Sequence, residues 1–117
     1  MKNSKVYKGV YTKKGKIRRS CRTLWRKAGE LHFQRKRYEE ALKFYDKLLD
    51  YEPNEQKVLH YKADVLRCLH RHVESIECHA KAIRINPHNT QVLDSLQRTV
   101  KEMKQEILKK LTARNYQ

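Results

Sequence analysis

The chain has 117 residues, a length that suits a single domain, and its 28 basic and 13 acidic residues give a net charge of +15. Only 38% of the residues are hydrophobic, and no apolar run approaches the roughly 18 residues that a membrane span needs. Three cysteines and the lack of an apolar leader argue against a secreted disulfide framework, so we expect an intracellular protein, cytoplasmic or nuclear, with no membrane partner.

The N-terminal segment is strongly basic. Residues 1–29 hold eleven Lys and Arg residues and no acid, whereas residues 30–117 hold 17 basic and 13 acidic residues. Residues 1–20 have too few apolar side chains to bury a face, so we expect a basic arm that is disordered or becomes ordered on a partner. The alternative is a solvated tail that only adds solubility.

A basic arm of this kind suits an acidic polymer, either RNA or an acidic protein surface. Lysine and arginine displace counterions from phosphate groups, and the interspersed Tyr7 and Tyr11 can stack on bases. The predicted polyanion-binding residues are Lys5, Lys8, Lys13, Lys14, Lys16, Arg18, Arg19 and Arg22.

From Cys21 onward, apolar residues recur at helical spacing. The pattern predicts one helical pair, about 21–35 and 37–51, that ends at Pro53, and a second, about 55–69 and 73–85, that ends at Pro87. A fifth helix is predicted over about 90–111. The chain thus divides into a basic arm (1–20), a helical domain (21–113) and a frayed tail (114–117).

The two helical pairs repeat each other after 34 residues. The first pair contains Trp25, Ala28, Gly29, His32, Ala41, Tyr45 and Pro53, and the second contains Leu59, Ala63, Ser75, His79 and Pro87 at the matching places. This pattern resembles the tetratricopeptide repeat, a helix–turn–helix unit of 34 residues. The second copy departs from the family pattern at Lys62, His72 and His79.

The resemblance implies an all-α fold, a right-handed superhelix of helical hairpins with about five helices. The repeats fall at about 22–55 and 56–89, and a capping helix at 90–111 closes the array. Three repeats are the usual minimum for a stable stack. Two repeats and a cap therefore suggest support from self-association or from a partner.

In this family the first helix of each pair lines a concave groove that holds a protein or peptide. The resemblance implies groove residues Arg26, Glu30, Phe33, His60, Asp64, Arg67, Asp94 and Arg98. The alternative is a plain solvated face. Some members clamp the terminal carboxylate of chaperone tails, but that clamp needs an asparagine after the glycine. Glu30 follows Gly29 here and would repel a carboxylate, so we do not expect that role.

Residues with catalytic or metal-binding chemistry are few. No nucleophile–base–acid set and no phosphate-binding glycine loop are present, so we expect a protein that is not an enzyme and needs no cofactor. Cys68, His70, His72, Cys78 and His79 form a suggestive cluster, and Cys68 and His72 have a spacing that can chelate zinc. His72 and His79 also occupy aromatic positions of the repeat. We interpret them as partly buried structural histidines and assign no metal site, with metal binding by Cys68, His72 and His79 left as the open alternative.

Taken together, these features predict a non-enzymatic protein–protein interaction adaptor or scaffold. It would dock partners on its helical-repeat surface and anchor to an acidic surface through the N-terminal arm. The alternative is an RNA-binding structural component of a ribonucleoprotein complex.

Overall fold

A computed structural model describes residues 18–115, and this part of the chain folds into five α-helices without a β-strand. The helices are α1 (Arg19–Gln34), α2 (Tyr38–Tyr51), α3 (Gln56–Cys68), α4 (His72–Ile85) and α5 (Thr90–Asn115). The predicted all-α fold is therefore confirmed. Each helix packs mainly on its neighbours in sequence, and α3 also contacts α5. None of the described helices is long and apolar enough to cross a membrane.

The ends of the helices follow the prediction closely, with two extensions. Helix α1 begins at Arg19 rather than Cys21, so the last two residues of the predicted arm belong to the helix. Helix α5 continues to Asn115, beyond the expected end at Leu111. Residues 1–17 of the arm, and with them the expected disorder, lie outside the described residues, as do the last two residues of the tail.

The 34-residue period is visible in the turns inside the two helical pairs. Lys36 and His70, 34 positions apart, both have φ of 60°, the left-handed conformation that glycine usually adopts at a helix C-terminus. The next residue donates its N–H back into the preceding helix, from Arg37 over 2.8 Å and from Arg71 over 2.9 Å. The tight turn between α1 and α2 therefore forms without glycine.

Small residues let the two helices of each pair cross closely. In the first pair, Gly29 on α1 faces the ring of Tyr45 on α2, and Ala41 is fully buried. In the second pair, Ser75 on α4 is fully buried, and its hydroxyl donates a 2.7 Å hydrogen bond to the backbone carbonyl of Ala63 on α3. The two crossings are equivalent in position, but only the second contains a polar link.

Two apolar clusters hold the stack together. The larger joins α2 and α3 through Ala41, Leu42, Tyr45, Leu48, Val58, Val65 and Leu66. The smaller, Leu59, Ala82 and Val92, joins α3, α4 and α5. Helix α5 is thus fastened near its start, whereas Ile107, Leu108 and Leu111 further along are 49%, 61% and 50% exposed.

Lys62, one of the departures from the repeat pattern, links α2 to α3. Its ammonium group lies 2.7 Å from a carboxylate oxygen of Asp46, and both side chains are partly exposed. Burial lowers the pKa of Lys62, but the hydrogen bond and charge of Asp46 outweigh it, and the pKa lies above its ordinary value. An ion pair thus takes the place of the apolar contact that is usual at this position.

Candidate functional site

The predicted groove residues lie on three helices, the first helix of each pair and the capping helix. Arg26, Glu30 and Phe33 are on α1, His60, Asp64 and Arg67 on α3, and Asp94 and Arg98 on α5.

Four of these residues meet around the carboxylate of Asp64. The Nε2 atom of His60 lies 3.6 Å from Oδ2 of Asp64, one helical turn away. Burial raises the pKa of Asp64, and the charges of His60, Arg67 and Arg98 act in the opposite direction without cancelling it. Asp64 is therefore a half-buried carboxylate among positive groups.

Arg67 connects this region to the capping helix. Its guanidinium lies 3.3 Å from a carboxylate oxygen of Glu102 on α5, and the Arg67 side chain is only 17% exposed. Glu102 was not among the predicted site residues. The helical spacing of α5 places it one turn beyond Arg98, so its proximity to Arg67 could have been inferred once α3 and α5 were assumed to touch.

A buried tyrosine, Tyr45, and a partly buried one, Tyr61, lie near the α1 residues. Tyr45 is 2% exposed, and its ring centroid lies 5.7 Å from that of Tyr61 on α3. Burial raises the pKa of Tyr45, and the nearby Glu30 raises it further while Arg26 acts against it. Arg26 and Glu30 thus flank the same phenol ring. Tyr45 belongs to the repeat pattern, but neither Tyr45 nor Tyr61 is among the predicted groove residues.

Phe33, one of the predicted groove residues, makes part of its contacts inside the protein. Its ring lies edge-on to Tyr38 with 5.7 Å between centroids, and it packs against the larger apolar cluster. Asp94 and Arg98 are exposed on α5. The groove set is thus mixed in charge, with little free apolar surface.

His79 on α4 lies fully buried next to His60, with 6.0 Å between the ring centroids. Burial, followed by the nearby His60, lowers the pKa of His79 to about 4, while the Ser75 backbone carbonyl acts weakly in the opposite direction. Neither ring nitrogen makes a hydrogen bond of normal geometry within residues 18–115. His60, Asp64 and His79 each present one ligating atom, and these atoms lie within 4.8 Å of one another.

The cysteine–histidine cluster noticed in the sequence divides, because Cys68, His70 and His72 line one cavity whereas His79 lies beside His60. His70 and His72 face Glu106 on α5, with their Nδ1 atoms 3.6 and 3.5 Å from one of its carboxylate oxygens. Across the described residues, no group of three potential metal ligands includes Cys68 or Cys78. Burial raises the pKa of the Cys78 thiol, which disfavours the reactive thiolate.

Only the end of the basic arm lies within the described residues. Arg18 and Arg19 are exposed at the start of α1, whereas Arg22 forms an ion pair with Glu52. The other predicted arm residues, Lys5, Lys8, Lys13, Lys14 and Lys16, lie outside the described part of the chain. Two arginines are therefore available to a polyanion at the start of α1, and the charge of the third is compensated.

Comparison with known proteins gives one family. Residues 23–55, which span α1, α2 and the turn that follows them, match the model described as the tetratricopeptide repeat. A search of curated proteins found no match to the chain.

Proposed function

We propose that this chain, whose residues 23–55 match the tetratricopeptide-repeat model, is a non-enzymatic adaptor that docks a protein segment on α1, α3 and α5 and anchors to an acidic surface through its basic arm. Tetratricopeptide repeats in general mediate protein–protein interaction and scaffolding rather than catalysis. The proposal concerns what this chain recognises and which part of it does so.

The observation that carries the proposal is the separation of charge along the chain. Residues 1–29 hold eleven basic residues and no acid. Inside the repeats, charges are paired across helices, as in Lys62 with Asp46 and Arg67 with Glu102. Because the arm has no acids of its own, its attraction for a polyanion is not offset locally.

The groove face favours a partner segment that carries both signs of charge. Arg26 and Glu30 lie side by side at Tyr45, and Asp64 lies among basic groups on α3 and α5. A peptide with alternating acidic and basic side chains could pair with this surface. A segment that presents only a terminal carboxylate would be repelled by the negative charge of Glu30.

The experiment compares the full chain with a variant that lacks residues 1–17. Arg18 is kept because its carbonyl accepts the Arg22 N–H in the first turn of α1, so α1 should stay intact. We expect unchanged helicity by circular dichroism and loss of most salt-sensitive binding in affinity purification near 150 mM salt. If the deletion variant recovers the same partners with the same salt dependence, the anchoring role is wrong.

A matched pair of variants separates the position of the charge from its amount. K13E/K14E/K16E reverses three charges in the arm, and K43E/K81E/K104E reverses three exposed charges on the described helices. Both change the net charge equally. We expect the arm variant alone to lose anchoring, and equal losses would show a nonspecific charge effect instead.

RNA binding within a ribonucleoprotein is the second candidate, and the tyrosines that alternate with lysines near Tyr7 and Tyr11 favour it. Nuclease treatment of the purified complex distinguishes the two. Release of the protein identifies RNA as the acidic polymer, whereas retention identifies an acidic protein surface.

A further inference from the structure

Helices α3 and α4 bring two imidazoles and one carboxylate together. His60 and Asp64, four residues apart, share one face of α3, with 3.6 Å between Nε2 and Oδ2. His79 reaches the same point from α4, and one ligating atom from each residue lies within 4.8 Å of the others. Two ligands about 2.1 Å from a tetrahedral zinc ion are about 3.4 Å apart, so only small side-chain movements separate this arrangement from a metal site.

Three of the four histidine ring nitrogens at this point make no hydrogen bond of normal geometry in the described part of the chain. Both ring nitrogens of His79, which is 0% exposed, and Nδ1 of His60 make no hydrogen bond within the described residues. Buried polar atoms nearly always have a partner, and an unpaired one destabilises the folded state. A metal ion would accept a lone pair from each ring and remove much of this penalty.

His79 is held in place at the proposed site. It is fully buried, and its ring centroid lies 6.0 Å from that of His60. The Ser75 backbone carbonyl next to the ring is the kind of outer acceptor that orients a ligating imidazole.

Positive groups near the site oppose a cation. Arg67 and Arg98 both act on Asp64, and Arg67 also acts on His79. The charge of Arg67 is partly offset, since Glu102 lies 3.3 Å from its guanidinium. Two imidazoles favour zinc over calcium or magnesium, which prefer sets of oxygen ligands.

We propose that His60, Asp64 and His79 bind one zinc ion between α3 and α4, an inference that goes beyond the docking function. The side chains of His60 and Asp64 are 14% and 23% exposed, which gives an ion a route from solvent. Three protein ligands leave a fourth coordination position for water or for a donor atom from a docked partner.

Calorimetric titration of the metal-free, reduced full chain with zinc chloride tests this site. We expect one zinc ion per chain for the wild type and binding at least about tenfold weaker for H79F, H60Q and D64N. H88Q, which removes an exposed histidine from the loop before α5, is the matched control and should bind like the wild type. Zinc should also raise the melting temperature of the wild type but not that of H79F.

The H79F variant is expected to fold, because the first repeat has an aromatic residue, Tyr45, at the equivalent position. If circular dichroism shows that H79F does not fold, the zinc affinities of H60Q and D64N test the proposal instead. Both replace partly exposed side chains. The proposal is wrong if the wild type binds no stoichiometric zinc, or if folded H79F binds it with unchanged affinity. Loss of zinc in H70Q with retention in H79F would place the ion at His70, His72 and Glu106, and would overturn the proposal.

Discussion

A Cβ atom built on Gly29 would lie 2.7 Å from Cε1 of Tyr45 and 2.8 Å from Cζ of the same ring. Real Cβ contacts are essentially never that short, and the ring has little room to move because Tyr45 is 2% exposed. The absence of a side chain at residue 29 is therefore what allows α1 to approach α2, and so sets the geometry of the first repeat.

This contact predicts that G29A destabilises the protein although alanine is the better helix former. The gain in helix propensity is about 1 kcal/mol, whereas overpacking a core typically costs about 1–3 kcal/mol and moving a buried ring costs more. We expect a net loss of about 1–2 kcal/mol in the free energy of unfolding, measured by urea denaturation.

Two further variants serve as controls for G29A. K27A replaces an exposed residue of the same helix and should change stability by less than about 0.5 kcal/mol. Adding Y45L to G29A removes the ring and should make the two changes strongly non-additive. A G29A protein as stable as the wild type would show that the helices separate freely at this point.

The left-handed residue in the first hairpin turn predicts a stabilising substitution. Lys36 is exposed and has φ of 60°, which disfavours any residue with a Cβ atom. K36G should raise the free energy of unfolding by about 0.5–1 kcal/mol. K43G, at an exposed position in the middle of α2, should lower it by about 1 kcal/mol. Thermal melts of K36G and K43G, measured in parallel with the wild type, test this prediction. A loss of stability in both variants would mean that glycine is not favoured over lysine at residue 36.

The fold could be predicted from the sequence because its determinants are local and repeat. Pro53 and Pro87 mark the ends of the pairs, small residues mark the crossings, and the apolar period marks the buried faces. The only positive-φ residues outside glycine in the described chain, Lys36 and His70, could not be found this way, since neither residue type indicates a left-handed conformation.

The candidate site could be predicted only in part. Helical period placed His60, Asp64 and Arg67 on one face of α3, because that depends on spacing within one helix. The meeting of His79 with His60, and of Glu102 with Arg67, depends on how neighbouring helices cross and how far apart they lie. Such distances between helices are not encoded in a single-sequence period. The grouping of His79 with Cys68 and His72 could not be judged from the sequence for the same reason. These residues are close in sequence, but His79 lies beside His60 on α3.

The ion pair between Arg67 and Glu102 should contribute measurably to the docking of α5. One partner is largely buried, at 17% exposure, so the pair is less screened than a surface pair. A double-mutant cycle with R67A and E102A should give a coupling energy of roughly 1 kcal/mol. The same cycle at Arg71 and Glu74, which are exposed and lie three residues apart, is the control. Its coupling should be smaller, and the reverse order would show that α5 is not held through Arg67.

The burial of His79 predicts that acid destabilises the protein even without metal. The pKa of His79 is about 4 in the folded state, against an ordinary value of 6.5, so the unfolded state binds the extra proton between these values. Stability that depends on a neutral His79 is fully present above pH 6.5 and is lost as the pH falls toward 4. Between pH 7 and pH 5 the expected loss is roughly 2 kcal/mol.

Comparison with H79F isolates this contribution, because the ionisable groups near residue 79, His60, Asp64 and Arg67, are present in both proteins. Urea denaturation is measured at pH 7 and pH 5, with a chelator present to keep the protein free of metal. We expect the free energy of unfolding to fall by roughly 2 kcal/mol more in the wild type than in H79F. An equal fall in the two proteins would mean that the His79 ring takes up its proton in the folded state as readily as in the unfolded chain. The ring would then not be held in the dry environment that its burial between α3 and α4 implies.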